Sequence, residues 1–186
     1  MKRIFDIFCS FMAFIIFSIP LLITAMAVKL TSSGPILYWS ERVGKDNIIF
    51  KMPKFRTMRT DTPAVATHLL GNPDQWLTPI GKFLRKSSLD ELPQLWSIIS
   101  GEMSIVGPRP ALFNQEDLIA LRTEKGVHKL TPGLTGWAQI NGRDELPIPV
   151  KVAFDEYYLK QRSFLMDLRI IFLTFVKVIK REGVTH

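Results

Sequence analysis

The sequence predicts a mainly α-helical fold with a small β-hairpin, in which a bent N-terminal helix and several amphipathic helices surround one domain. Three observations support this prediction. Residues 7–28 carry no charge, and apolar residues recur at helical spacing in 76–86 and 164–181. A polar turn at 44–47 separates two short apolar runs, which is typical of a hairpin. The 186 residues are enough to build one hydrophobic core.

The composition indicates an anionic partner. The chain has 24 Lys and Arg residues against 17 Asp and Glu residues. Such a balance is typical of proteins that bind nucleic acid, lipid head groups or a phosphorylated substrate. The single cysteine, Cys9, excludes an internal disulfide bond.

The uncharged N-terminal stretch is long enough for a membrane segment. As a helix it would measure roughly 33 Å, which is sufficient to cross the bilayer core. Pro20 lies in its middle, where a proline bends a helix, and basic residues flank both ends, which places both ends on the cytoplasmic side. We therefore expect residues 1–30 to form a re-entrant membrane helix, with 31–186 at the cytoplasmic face. A straight spanning helix is the alternative. Asp6 beside Arg3 predicts an interfacial ion pair.

The next segment combines the hairpin with a basic run. We expect strands at 36–39 and 48–50. Residues 51–59, which include Lys54 and Arg56, alternate basic with apolar side chains, so this run would lie on anionic lipid or line a phosphate site. Nucleic-acid binding is not expected, because a membrane-embedded neighbour does not suit a nucleic-acid groove.

Two less informative segments follow. Residues 61–74 are polar and predict a mobile loop, in which His68 has no second histidine at metal-ligand spacing. Residues 76–86 predict a short interfacial helix with Trp76, Ile80, Phe83 and Leu84 on one face.

Two adjacent carboxylates, Asp90 and Glu91, form the most informative pattern. Ser88 and Glu91 have capping-box spacing, which predicts a helix start, and Pro93 fits the first helical position with Leu92 as the cap. A helix N-terminus favours anions, so it would hold a carboxylate ionised and attract a phosphate or a metal-bound diphosphate. The alternative is that both carboxylates only cap the helix.

Basic and amide side chains elsewhere are candidates for substrate binding. Arg85 precedes the two carboxylates, and Arg109 lies between two prolines that stiffen its backbone for phosphate recognition. The glycine-rich loop 131–143 carries further candidates that would stack a base, read its edge and clamp a diphosphate: Trp137, Gln139, Asn141 and Arg143. An ordinary turn or surface loop is the alternative for each.

The C-terminal third predicts three helices. Residues 111–125 read as a polar surface helix, and residues 150–161 as a second helix. Ser163 would cap the last helix, 164–181, whose wide apolar face suits either the core or the head-group layer.

Taken in order, these motifs resemble the monotopic phosphoglycosyl transferases, the bacterial sugar transferase family. The resemblance runs from Lys2 to Gly183 and rests on the bent N-terminal segment and the motifs 54–58, 85–95, 107–110 and 132–143. One difference is visible. The bend in this family often uses adjacent Ser and Pro, whereas Ile19 separates Ser18 from Pro20 here.

The resemblance implies a reaction at the cytoplasmic face of the bacterial inner membrane. A sugar 1-phosphate would move from a UDP-sugar to polyprenyl phosphate, releasing UMP, as a first step of glycoconjugate synthesis such as lipopolysaccharide or exopolysaccharide. Asp90 would be the nucleophile that carries the phosphosugar, Glu91 its partner, and Mg²⁺ the cofactor, with Asp90 and Glu91 as its candidate ligands. Whether Glu91 helps to hold Mg²⁺ or assists proton movement stays open. The chain would correspond to the bare catalytic core, with membrane lipid as a further partner. A homodimer and the identity of the sugar stay open.

The residue types suit that chemistry. A carboxylate is a competent nucleophile towards phosphorus and divides one transfer into two steps. A glycosidase fits less well, because its two acids must flank a bond from opposite sides, roughly 5 Å or more apart. A non-enzymatic basic membrane-surface module would account for residues 51–59 and the last helix, but it gives no reason for Asp90 and Glu91.

Overall fold

The computed structural model describes residues 1–63, 72–142 and 146–180. Within them, the helices are α1 (Lys2–Ile16), α2 (Ser18–Thr31), α3 (Gly81–Ser87), α4 (Gln94–Ser100), α5 (Glu116–Glu124), α6 (Trp137–Ile140), α7 (Ile148–Gln161) and α8 (Phe164–Lys180). The strands are β1 (Leu37–Val43), β2 (Ile49–Phe55), β3 (Ser104–Val106), β4 (Ala111–Leu112) and β5 (Gly133–Thr135).

The N-terminal helix pair is bent by 63° at Phe17, which confirms the predicted bend. The amide of Phe17 donates to the carbonyl of Ala13, and the amide of Leu21 donates to the carbonyl of Phe17, each at 2.8 Å. Pro20, in the first turn of α2, has no N–H to donate, so the hydrogen-bond ladder is interrupted at this point. In the described part of the chain no helix alone has the length and apolar character to cross a membrane, whereas α1 and α2 together meet both criteria.

The predicted hairpin is confirmed and is longer than expected. β1 and β2 pair antiparallel from Leu37 opposite Phe55 to Val43 opposite Ile49. Half of the basic run belongs to β2, because its alternation of polar and apolar residues has the period of a strand. β4 extends the sheet on the other side of β1, so the helix predicted for 111–125 is shorter and begins only at Glu116.

A second, parallel strand pair holds the glycine-rich segment against the centre of the domain. β3 and β5 pair through Ser104 with Gly133 and through Val106 with Thr135. A Cβ atom on Gly133 would lie 2.1 Å from the backbone nitrogen of Gly107. The close approach therefore requires glycine, and much of the predicted loop 131–143 is β5 and α6.

α1 packs against α4 and β3, and polar contacts tie its N-terminal part to both. Arg3 donates to the carbonyls of Ile98 and Ile99 at the C-terminal end of α4, where a cation is favourable. Asp6 is buried and accepts from the Ser104 hydroxyl at 2.8 Å and the Ile105 amide at 3.2 Å. The expected ion pair between Arg3 and Asp6 is wrong, because each side chain has partners in the domain.

The burial of apolar side chains departs from the prediction in α3 but fits it in α8. In α3, Leu84 is buried but Phe83 is 65% exposed, and Trp76 lies in a preceding 3₁₀ turn, so the predicted common face is wrong. α8 buries Ile170 and exposes Phe172 and other large apolar side chains, which suits partial contact with the head-group layer. His68 and the rest of 64–71, within the predicted mobile loop, lie outside the described residues.

Candidate active site

The two adjacent carboxylates lie on a short 3₁₀ turn, Leu89–Glu91, between α3 and α4. Ser88 has a φ of 56° and closes α3, and its side chain makes no capping hydrogen bond. A capping serine needs extended backbone geometry, so the predicted capping box is wrong. Pro93 has helical dihedral angles and directly precedes the first residue of α4, so Pro93 and not Leu92 is the cap position.

Glu91 lies between two cations that come from different elements. Its Oε1 accepts from Lys54 Nζ on β2 at 2.8 Å and from Arg109 Nη2, in the loop after β3, also at 2.8 Å. Burial alone would raise the pKa of Glu91, but Arg109 and Lys54 together hold it well below its usual range. Burial lowers the pKa of Lys54, and Glu91 opposes that shift. Glu91 is therefore an anion that holds two candidate phosphate ligands in place.

Asp90 has a different environment. It is 7% exposed and forms no salt bridge with any residue that the structure describes. Burial raises the pKa of Asp90 to about 6, although the charges of Lys54 and Arg85 oppose the shift. The sequence predicts that the helix end holds this carboxylate ionised; desolvation opposes that effect and makes the net shift of its pKa upward. At pH 7 most of the carboxylate is still ionised.

Arg85 is the third basic residue of the site. Its Nε donates to the hydroxyl of buried Thr57 at 3.1 Å. Its positive charge favours the ionised form of Asp90. Lys54, Arg85 and Arg109 thus surround the two carboxylates with positive charge.

The other predicted binding residues have different contacts. Arg56 Nε donates to the carbonyl of Pro35 at 2.9 Å, and Asn141 Nδ2 donates to the carbonyl of Trp137 at 2.7 Å. Both side chains thus donate to backbone carbonyls. The amide group of Gln139 is buried, and neither of its polar atoms has a hydrogen-bond partner in the described part of the chain. Arg143 lies outside the described residues.

Trp137 already has partners within the protein. Its ring stacks on Tyr157 with 5.6 Å between the ring centroids, and the guanidinium carbon of Arg169 lies 5.8 Å from the Trp137 ring centroid. The indole predicted to stack on a base therefore already contacts Tyr157 and Arg169.

Sequence reasoning missed a buried pair behind Arg109. Arg122 Nε and Nη2 donate to Oδ2 of Asp155 at 3.0 and 2.7 Å, and Arg122 Nη1 donates to the carbonyl of Arg109 at 2.8 Å. The available signal was that Arg122 follows the apolar Leu118 by four residues, which puts both on one helix face. Arg42, also missed, donates to the carbonyl of Pro110 at 3.2 Å.

The donor set of the site is compatible with Mg²⁺. The described residues contain no cluster of three or more His, Cys, Asp or Glu side chains that could hold a metal. Mg²⁺ does not require one, because it is commonly held by one or two carboxylates together with substrate phosphates and water. Asp90, which has no salt bridge in the described chain, and Glu91 meet that requirement.

Comparisons with known proteins identify the family of the chain. The family model of the bacterial sugar transferases matches residues 1–181. The chain is 40% identical over 187 residues to an uncharacterized sugar transferase, EpsL, of Bacillus subtilis, covering 99% of this chain and 90% of EpsL. It is 40% identical over 185 residues to the UDP-glucose:undecaprenyl-phosphate glucose-1-phosphate transferase of Escherichia coli, covering 95% of this chain and 40% of that protein.

A third relative is the undecaprenyl-phosphate galactose phosphotransferase of Salmonella typhimurium. It is 36% identical over 198 residues, which cover 98% of this chain and 41% of the relative. The chain thus spans most of EpsL but only about two fifths of the other two proteins. The match over nearly the whole chain means that this protein belongs to the bacterial sugar transferase family and is a transferase.

Proposed function

We propose that the protein transfers a sugar 1-phosphate from a UDP-sugar to polyprenyl phosphate at the cytoplasmic face of the membrane, releasing UMP. Two relatives are named for transfer to undecaprenyl phosphate, of glucose 1-phosphate in one case and of galactose phosphate in the other. The observation that carries the proposal is the contrast within the site. A buried carboxylate without a salt bridge in the described chain, Asp90, adjoins a carboxylate that holds Lys54 and Arg109.

In the first step, an Oδ atom of Asp90 attacks the phosphorus that carries the sugar. The bond from that phosphorus to the bridging oxygen breaks, and UMP leaves with the electron pair. The product is an acyl-phosphate on Asp90. In the second step, an oxygen of polyprenyl phosphate attacks the same phosphorus, the bond to Asp90 breaks, and the carboxylate is regenerated.

The basic residues counter the charge repulsion between an anionic nucleophile and an anionic substrate. Lys54 and Arg109 are held 2.8 Å from Glu91 and are thus already ordered to contact the phosphates of the donor. Arg85, tied to Thr57, lies on the Asp90 side. Mg²⁺ bound by Asp90 and Glu91 would supply further neutralisation of the diphosphate.

The membrane location follows from the acceptor and from the apolar surface. Polyprenyl phosphate stays in the bilayer, so the nucleophile must operate at bilayer level. α1 and α2 expose large apolar side chains along their length, among them Phe8, Leu22 and Leu30. Because α1 packs against α4, a membrane-embedded α1 would hold the two carboxylates close to the membrane surface.

UMP release is the direct test of the activity. Purified protein in polyprenyl phosphate-containing vesicles with Mg²⁺ should release UMP from at least one member of a UDP-sugar panel, and excess chelator should abolish release. UMP release at full rate in chelator would remove Mg²⁺ from the proposal. No release from any UDP-sugar would reject the proposed function.

Accessibility labelling tests the membrane path separately. Single cysteines at Met1 and at Ser33, in a Cys9→Ser background, should react with an impermeant reagent from the cytoplasmic side only. Reaction from opposite sides would restore the straight spanning helix.

A further inference from the structure

The loop that presents Arg109 is held through its backbone carbonyls. The Pro108 carbonyl accepts from the Gly133 amide at 2.9 Å, and the Pro110 carbonyl accepts from Arg42 Nη1 at 3.2 Å. Pro108 and Pro110 have no N–H groups, so neither residue can donate a backbone hydrogen bond. A cavity of about 30 Å³ lies against this loop and is lined by Pro108, Arg109, Pro110 and Arg122. The loop lines this cavity on one side, so the hydrogen bonds to its carbonyls contribute to fixing its position.

Arg122 restrains this loop from behind. All three of its nitrogen donors are used: Nε and Nη2 contact Asp155 at 3.0 and 2.7 Å, and Nη1 contacts the Arg109 carbonyl at 2.8 Å. Arg122 is 8% exposed and Asp155 is 1% exposed. The pair joins α5 and α7, so it connects the Arg109 backbone to two helices.

A buried ion pair is not required for stability, because well-packed apolar residues of similar volume often serve as well or better. The geometry of this pair offers a different reason for it. The backbone carbonyl held by Arg122 belongs to the residue whose guanidinium contacts Glu91 at 2.8 Å. A shift of this carbonyl would move the guanidinium relative to the carboxylates.

We propose that Arg122 and Asp155 are positioning residues, which hold the Arg109 backbone so that its guanidinium meets the diphosphate of the donor. The proposal rests on the proposed function. It assigns to the buried pair control of donor affinity, without contact between either residue and the substrate.

The test is a double variant, Arg122→Met with Asp155→Leu, which removes both charges together and leaves no unpaired buried charge. We expect a folded protein whose KM for the UDP-sugar rises by roughly tenfold or more, with a smaller effect on kcat. Amide hydrogen exchange at Gly133, whose N–H donates to the Pro108 carbonyl beside Arg109 at 2.9 Å, should also become faster. The matched control is Glu156→Gln with Lys160→Met, which removes an exposed ion pair from the same helix, α7, and should change neither quantity.

A double-mutant cycle with Arg109→Ala identifies the route of the effect. If Arg122 and Asp155 act through Arg109, the double variant should change KM by less than about twofold when Arg109 is already alanine. An additive loss in that background would overturn the proposal, as would an unchanged KM in the folded double variant.

If the double variant does not fold, Arg122→Lys provides the test. Lysine keeps the positive charge beside Asp155 but lacks the planar fork that reaches both partners. An increased KM at unchanged thermal stability supports positioning, and an unchanged KM contradicts it. Unchanged exchange at Gly133 in a folded variant would reject the positioning role alone, whereas absence of UMP release from every UDP-sugar would reject the proposed function.

Discussion

The surroundings of Glu91 are polar and charged, with Lys54 and Arg109 each 2.8 Å from one carboxylate oxygen, whereas those of Asp90 contain no salt bridge in the described chain. The pKa values differ accordingly: burial raises that of Asp90 to about 6, and the two cations hold that of Glu91 well below its usual range. Environments that separate the pKa values of neighbouring acids often separate their roles. On this difference rests the proposal that Asp90 is the nucleophile and Glu91 the anion that orders the two cations.

The strongest test of this contrast is Asp90→Asn. Without the nucleophile, we expect UMP release to fall by about three orders of magnitude or more. The melting temperature should be unchanged or higher, because a buried amide avoids the desolvation cost of a carboxylate. UMP assays and thermal unfolding in the same detergent measure both effects, with Glu156→Gln as the control.

Asp90→Asn also separates the enzyme from a non-enzymatic membrane module. Vesicle binding should be retained, because Asp90 contributes nothing to the apolar surface. Substantial remaining turnover in this variant would contradict the assignment of the nucleophile.

Glu91→Gln should affect stability as well as activity. It leaves Lys54 and Arg109 without the anion between them, so we expect a loss of roughly 1–3 kcal/mol in the free energy of unfolding, reduced from the fully buried case because the side chains are partly exposed. UMP release should fall by about a hundredfold. Chemical denaturation measures the free energy of unfolding. If Glu91→Gln and Asp90→Asn had the same free energy of unfolding, the proposed difference between the two carboxylates would be contradicted.

The pH profile tests the Asp90 side alone. The nucleophile must be ionised, so kcat/KM should decrease as the pH falls through about 6. The same raised pKa means that the folded state binds the proton more tightly than the unfolded state. Wild type should therefore gain stability relative to Asp90→Asn as the pH falls from about 6 towards 3.8. An acid limb near the ordinary value of 3.8 would contradict the desolvated environment.

The smallest expected effect comes from Thr57→Val, which removes the hydroxyl that accepts from Arg85 Nε at 3.1 Å. With Arg85 less well held, its opposition to the raised pKa of Asp90 weakens, and the acid limb should move upward by about half a unit or less. The loss of unfolding free energy caused by Glu91→Gln should be the same with and without Thr57→Val. A downward move of the limb would contradict the role given to Arg85.

Sequence patterns predicted the elements whose structure depends on residues close together in the sequence. The bend near Pro20 and the hairpin follow from a missing N–H and from strand periodicity, and both are confirmed. The capping box at Ser88 failed because the spacing of two residues does not report the φ angle, which is positive here. β4 was missed because its two residues owe their pairing to β1, which lies far away in sequence.

In the site, too, local patterns identified individual residues, whereas contacts between distant parts of the sequence were not predicted. Lys54 and Arg109 were identified from a basic run and a Pro-Arg-Pro motif, and the structure brings them to Glu91. The direction of the Asp90 shift was not predictable, because burial depends on the packing of α2, α3 and β2 around the 3₁₀ turn. The pairing of Arg122 with Asp155 joins residues 33 positions apart on two helices, which no local pattern specifies.

Intact-mass spectrometry of the protein incubated with a UDP-sugar and Mg²⁺, in the absence of polyprenyl phosphate, tests the central claim most directly. With a UDP-sugar that supports UMP release, the mass should increase by one sugar phosphate, located on Asp90 by peptide mapping, and Asp90→Asn should show no increase. An unmodified mass, together with kinetics that require both substrates to be bound before any UMP is released, would contradict the covalent route.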